Sequence, residues 1–152
     1  MPTELALQFR VELQSMRAAL LSMPAELADV PWHEGGWTRK EILGHLMDSA
    51  ANNRQRFVRA ATEGSYSGPS YRQEAWVDMH GYQSQSWPTL LEWWQTENQI
   101  LAAVVENIPA DALDARCTVG ENAPVSLRFL IEDYLAHHRG HLVQILSGTT
   151  TR

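Results

Sequence analysis

The sequence predicts an all-α protein built as a four-helix bundle, and three observations carry that prediction. Four long stretches place apolar residues three and four apart, the spacing that gathers them on one face of an α-helix. Residues that start or stop helices bound each stretch. No stretch alternates apolar and polar residues between hairpin turns, so no strand is expected, and no internal repeat of fixed period is present.

The first helix is expected from Thr3 to Met23, with Leu5, Phe9, Leu13, Met16 and Leu20 as its stripe, Thr3 as cap and Pro24 as stop. The second opens after "PWHEGGW". Thr38 caps it, Glu41 completes a capping box, and Gly64 ends it. Ile42, Leu43, Leu46, Ala50 and Phe57 carry its apolar stripe. A long connection rich in Gly, Ser, Tyr and Gln runs from Glu63 to Trp87, and "YRQEAWVDMHGYQ" within it is expected to hold a short helix. A connection of this length crosses the fold or covers a site.

The third helix opens at "SWPTLLEWW", with Ser86 as cap and Pro88 in the first turn. Leu91, Trp94, Ile100, Leu101, Val104 and Val105 are expected to face inward, and Pro109 follows the end. Adjacent Trp93 and Trp94 cannot both point inward; one borders the core and the other suits a dimer contact. The fourth helix is expected from near Ser126 to Leu146, with Gly148 in a left-handed cap just beyond.

A chain of 152 residues suits one domain, expected over 1–148, with 149–152 as a polar tail. A formal net charge of −6 argues against a nucleic-acid partner, whose phosphates call for clustered Lys and Arg. Arg54, Arg56 and Arg59 nevertheless form a local basic patch, read either as a solvated helix face or as a place for a small anionic substrate. The single cysteine, Cys117, excludes an intramolecular disulfide and reads as incidental. Glu4, Arg10 and Glu12 interrupt the N-terminal stretch, so no signal peptide is expected, and no apolar run reaches the ~18 residues of a membrane span. These readings point to a cytoplasmic protein with neither a membrane nor a nucleic-acid partner.

The histidines carry the functional signal. In "AHHRGHLVQI", His137 and His141 are one helical turn apart and aim at one point, on the face that holds Leu127, Leu130, Tyr134, Gln144 and Ile145. In "EILGHLMDSA", His45 sits inside the apolar pattern of the second helix. A buried unpaired imidazole costs roughly 1–3 kcal/mol. Three such groups on two inward faces are either ordinary core histidines with hydrogen-bond partners, or ligands of one shared divalent cation. "HxxxH" alone is a weak signal, and the Glu of the zinc-protease motif "HExxH" is replaced here by His138. Three imidazoles suit Zn²⁺, Ni²⁺ or Fe²⁺ and leave a position for water or substrate. Asp48 and Asp133 are placed to orient such ligands.

"GWTRKEILGHLMDSA" followed by "HHRGHLVQI" resembles the DinB/YfiT-like superfamily, through Trp37, Thr38, His45 and Asp48 and then His137, His141, Gln144 and Ile145. The resemblance implies an up-up-down-down bundle, and the long connection between the second and third helices would be its crossover. It implies metal ligands at His45, His137 and His141, with zinc or nickel commonest and iron an alternative, and it implies a homodimer. His138 aligns with a variable position and is not expected to bind. The activities it implies are thiol-dependent S-transfer or hydrolysis of a small molecule. The alternative is a non-catalytic, metal-binding stress-response bundle of the DNA-damage-inducible type. For a hydrolase, Asp48 is the first choice of general base. For a transferase, Arg54, Arg56 and Arg139 are candidates to meet the carboxylates of a low-molecular-weight thiol co-substrate such as bacillithiol, mycothiol or glutathione. Trp76, Tyr82 and Trp87 either form a lid or pack over the open end of the bundle.

Overall fold

The computed structural model describes residues 3–148, so the polar tail expected over 149–152 lies outside the described residues. Its helices are α1 (Glu4–Ser22), α2 (Arg39–Glu63), α3 (Gln73–His80), α4 (Trp87–Asn107) and α5 (Leu127–Leu146). Their bounds follow from local chemistry. The Thr3 hydroxyl accepts the Ala6 N–H at 3.2 Å. Thr38 accepts the Glu41 N–H at 3.2 Å while the Glu41 carboxylate accepts the Thr38 N–H at 3.1 Å, closing the capping box. Ser86 and Ser126 cap α4 and α5 in the same way. Gly64 (φ +86°) ends α2 in the left-handed region that a side chain would disfavour.

The four long helices enclose one core, with α4 and α5 each packed against both α1 and α2. Side-chain pairings give their directions. Arg10 pairs with Glu106, and Arg17 Nε donates to Gln95 Oε1 at 2.7 Å, so α1 and α4 are antiparallel. Arg39, in the first turn of α2, donates to the carbonyl of Ile145 near the end of α5 at 3.2 Å, while Phe57 meets Tyr134 further back along it. Those two helices are also antiparallel. The start of α4 lies beside the start of α2, where Gln83 meets Thr38, and Arg54 reaches Glu97 at 2.8 Å midway along both helices. The order is therefore up-down-down-up, in place of the up-up-down-down order that the family resemblance implied. The reason lies in the connection after α1. The N–H groups of Lys40 and Arg39 bond the carbonyls of Ala28 and Val30, at 3.1 and 3.4 Å. The chain therefore turns back where α1 stops instead of crossing the bundle.

Residues 64–86 run back along α2. The Tyr82 ring lies on the backbone of Gly44, where an added Cβ would come within 2.0 Å of it, and the Tyr82 hydroxyl donates to Asp48 Oδ1 at 2.5 Å. Near the other end of α2, β1 (Ser65–Gly68) pairs in parallel with β2 (Arg116–Val119), and β2 pairs antiparallel with β3 (Val125–Ser126). The sequence predicted no strand. These pieces are too short to alternate visibly; backbone bonds hold them, and only Tyr66 and Cys117 turn fully into the core. Burial pushes the Cys117 thiol up, which suits an inert packing residue.

All ten stripe residues expected in the first two helices are buried. In α4, Trp94, Leu101 and Val105 are buried, whereas Ile100 is 49% exposed. The core face centres on Leu90, Trp94, Leu101 and Val105, and Ile100 lies about 100° round from Leu101. Trp93 is exposed beside the buried Trp94. Among the described residues no helix is long and apolar enough to cross a membrane.

Arg39 ties the helix ends together. It is 4% exposed and donates to the carbonyls of Val30, Pro31, Ile145 and Ser147. Arg39→Met removes a charge-assisted network and orphans buried acceptors, so it is expected to cost roughly 2–4 kcal/mol in urea unfolding. Thr38→Ala, which removes one cap, is expected to cost only about 1 kcal/mol.

Candidate metal centre

α2 and α5 face each other, and that packing brings three imidazoles together. His45 is fully buried, while His137 and His141 are half-buried one turn apart. One ring nitrogen from each lies within 4.8 Å of the others. The Nε2 atoms of His137 and His141 are 3.1 Å apart, close to the ~3.3 Å between two ligands of a tetrahedral ion with bonds near 2.0–2.1 Å. The His45 ring meets both edge-on, with centroids at 5.2 and 4.7 Å.

What separates His45 from the other buried histidine is that neither of its nitrogens has a hydrogen-bond partner, whereas His138 accepts from Trp94 and lacks a partner only on Nδ1. A neutral core histidine keeps at least one N–H, and a buried N–H is almost always satisfied. The donor set therefore fits a divalent ion better than it fits the core-histidine alternative. Burial, reinforced by His141 and His137, pushes His45 down to about 3. Burial also lowers His137, against an opposing pull from Asp133. Both imidazoles are neutral at pH 7 and have a lone pair to give. The Gln144 carbonyl oxygen lies 2.8 Å from His141 Nδ1; accepting its N–H there leaves Nε2 aimed at the shared point. Trp37 packs against His45 with ring centroids 5.1 Å apart, so the aromatic before the cap walls this site.

A cleft of about 260 Å³ opens beside His137 between α2 and α5. Ser49, Asn53 and Arg56 line it from α2, Asp133 from α5, and Tyr71 and Asn122 from the loops. A second cleft of about 420 Å³ shares Arg56, Ser70 and Tyr71 with it.

The other expected residues fall in different places. Asp48 bonds none of the three imidazoles. Its Oδ1 accepts from Tyr82 and lies 3.4 Å from His80 Nδ1, while its buried Oδ2 has no partner. Burial raises the Asp48 carboxyl, against the pull of Tyr82 and His80. Arg54 pairs with Glu97 and Arg139 with Glu12, both pairs outside the cleft linings. Arg56 alone of the three expected arginines lines the clefts. Tyr82 and Trp87 are buried packing residues, whereas Trp76 lines the second cleft. Sequence reasoning passed over Asn53 and Tyr71. Ser49, Asn53 and Arg56 recur at spacings of four and three, a polar stripe that helical periodicity makes readable.

His138 stands apart from the triad. It is 1% exposed, Trp94 Nε1 donates to its Nε2 at 3.1 Å, and burial pushes it down to about 3. An unfolded histidine titrates near 6.5. Between those values the unfolded chain holds a proton that the folded chain refuses, so stability present above about pH 6.5 is lost as pH falls. In chelator, unfolding free energy is expected to drop by roughly 2 kcal/mol per buried imidazole between about pH 6.5 and 5. Urea midpoints across that range measure it; a flat profile contradicts it.

The family profile of the DinB superfamily matches residues 8–145. Relatives from Bacillus mycoides (strain KBAB4) and Bacillus cereus (strain B4264), each named "Putative metal-dependent hydrolase", are 31% identical over 61 residues. That stretch is 40% of this chain and only 35% of theirs. YfiT from Bacillus subtilis, described as "a probable metal-dependent hydrolase with an unusual four-helix bundle topology", superposes with a TM-score of 0.81 at 21% identity, covering 95% of this chain and 86% of that one. A mutant of the mycothiol-dependent maleylpyruvate isomerase superposes with a TM-score of 0.77 at 14% identity, over 93% of this chain and 59% of that one. At such identities the likeness is one of fold. The match along nearly the whole sequence settles the family: the chain belongs to the DinB superfamily.

Proposed function

We propose that this protein is a metal-dependent enzyme acting on a small molecule, with His45, His137 and His141 holding the ion. One observation carries the reading: a fully buried His45 without hydrogen-bond partners, beside two imidazoles whose nitrogens converge with its own. A divalent ion there supplies Lewis acidity toward a water or a thiol. The names of the Bacillus relatives support the hydrolytic version.

In that version the chain's own groups divide the work. Asp133, one turn before His137 and lining the same cleft, is the group we assign to accept the proton of an attacking water. Gln144 fixes the His141 ring. Asp48, expected from sequence as the base or as a group orienting the ligands, is held by the Tyr82 hydroxyl and bonds none of the three imidazoles, so the proton transfer is assigned to Asp133. The thiol S-transferase reading is second. It is favoured by the two clefts meeting at Arg56 and Tyr71, which give an extended co-substrate room. The cytoplasmic location and homodimer expected from sequence belong to the same proposal, supported by the free buried Cys117 and the exposed Trp93 and Ile100.

Metal analysis of the purified chain is expected to find about one equivalent of zinc, nickel or iron, lost in His45→Ala and His141→Ala. Turnover is then assayed on an ester and amide panel, and on electrophiles with bacillithiol, mycothiol or glutathione. Hydrolysis that falls at least about tenfold in Asp133→Asn at unchanged metal content supports the hydrolase. Thiol-dependent turnover alone supports the transferase. Bound metal with no turnover supports the non-catalytic stress-response alternative, and absence of metal overturns the site.

A further inference from the structure

Arg56 is the buried arginine that the fold leaves with neither an acid nor a set of carbonyl acceptors. It is 8% exposed, yet its contacts are an Nη2 hydrogen bond of 3.5 Å to the Pro69 carbonyl and the face of Tyr71, whose centroid lies 6.0 Å from Cζ. A bond of that length is at the outer edge of hydrogen bonding. Arg10, Arg54, Arg59 and Arg139, all more exposed, each pair with a carboxylate, and the buried Arg39 is saturated by main-chain carbonyls. Among the described residues no carboxylate pairs with Arg56. The guanidinium therefore presents most of its five donors to the clefts with no protein acceptor, and the fold gains no cross-helix ion pair from it. Arg56 lines both clefts, and the inner one runs from it to His137.

We propose that Arg56 anchors a small, polar substrate carrying one carboxylate, the carboxylate lying against the guanidinium fork. That its reacting bond then lies toward His137 rests on the metal-enzyme reading above; the anion site itself does not. Charge decides between carboxylate and phosphate. One arginine offsets a single negative charge, and Asp133 on the facing wall opposes a dianion. Elsewhere on the lining, Ser49, Asn53, Gln73 and Asn122 offer hydroxyls and amides suited to an amide-bearing molecule, and Tyr71 offers an aromatic face.

The test is binding of three probes to the full chain by calorimetry: hippurate, its neutral amide hippuramide, and inorganic phosphate. Hippurate is expected to bind about tenfold more tightly than hippuramide, and more tightly than phosphate. In Arg56→Gln that preference should shrink to within about twofold at an unchanged melting temperature. Arg56→Lys keeps the charge without the fork and should weaken hippurate about fivefold, which keeps the question decidable if the glutamine variant does not fold. Equal binding of hippurate and hippuramide, tighter phosphate, or an unchanged preference in either variant overturns the proposal. Metal content is measured in the same samples. A carboxylate preference without bound metal leaves the anion site standing while the metal reading falls; metal without the preference does the reverse.

Discussion

In chelator, His45→Leu is expected to stabilise the chain by about 1–3 kcal/mol, and in saturating zinc the same substitution is expected to destabilise it. The two signs have one cause. Without an ion, His45 holds two polar nitrogens in the core with no partner, a desolvation cost that leucine, of similar volume, does not incur. With an ion, the folded state gains binding free energy, about 2.7 kcal/mol at a hundredfold excess over the dissociation constant, and the variant forfeits most of it. Urea unfolding of both proteins, with EDTA and with zinc, measures all four corners. Destabilisation by His45→Leu in EDTA as large as in zinc would show that the imidazole serves the core directly, and the metal reading would lose its main support.

Gly44→Ala is expected to cost roughly 2–5 kcal/mol, far more than a helical Gly→Ala change usually does. In an unconstrained helix alanine is the better residue by about 0.5–1 kcal/mol. Here the new methyl carbon would sit 2.0 Å from the Tyr82 ring, which must leave, taking its hydroxyl from Asp48. Asp48 already lacks a partner on Oδ2, so a buried carboxylate would lose its closest hydrogen bond. A double-mutant cycle isolates the cause. In a Tyr82→Ala background the same Gly44→Ala change should be neutral or stabilising, because the obstruction is gone. Additive losses would mean that Gly44 matters for another reason.

Helix bounds were legible because they are local. Thr38 and Glu41 announce their capping box within four residues, and the apolar stripes follow from helical periodicity alone. Helix directions were not, since they depend on where residues 28–38 lie, which two backbone bonds to Ala28 and Val30 decide. The strands escaped notice because their stability comes from pairing between distant segments, Ser65 with Arg116 for example, and not from their own side chains. The triad was readable from two residues on one helical face and a third polar residue inside an apolar stripe. The arginines were not separable in the sequence. Arg54 and Arg56 are two positions apart on one helix, but Glu97, brought in by α4, neutralises the first and leaves the second. The hydrogen bond from Tyr82 to Asp48 was likewise not legible, because Tyr82 comes from 34 residues away.

The cleft also separates two kinds of position. One wall stands on α2 and α5 and includes His137, whereas its opposite rim comes from residues 70–73 and 119–122, held by the β1–β2 pairing and by the Gly120 N–H on the Gly68 carbonyl at 2.8 Å. Rim side chains such as Ser70, Gln73 and Asn122 therefore form a module that directed evolution could diversify while the helical scaffold and its three imidazoles pass unchanged from variant to variant.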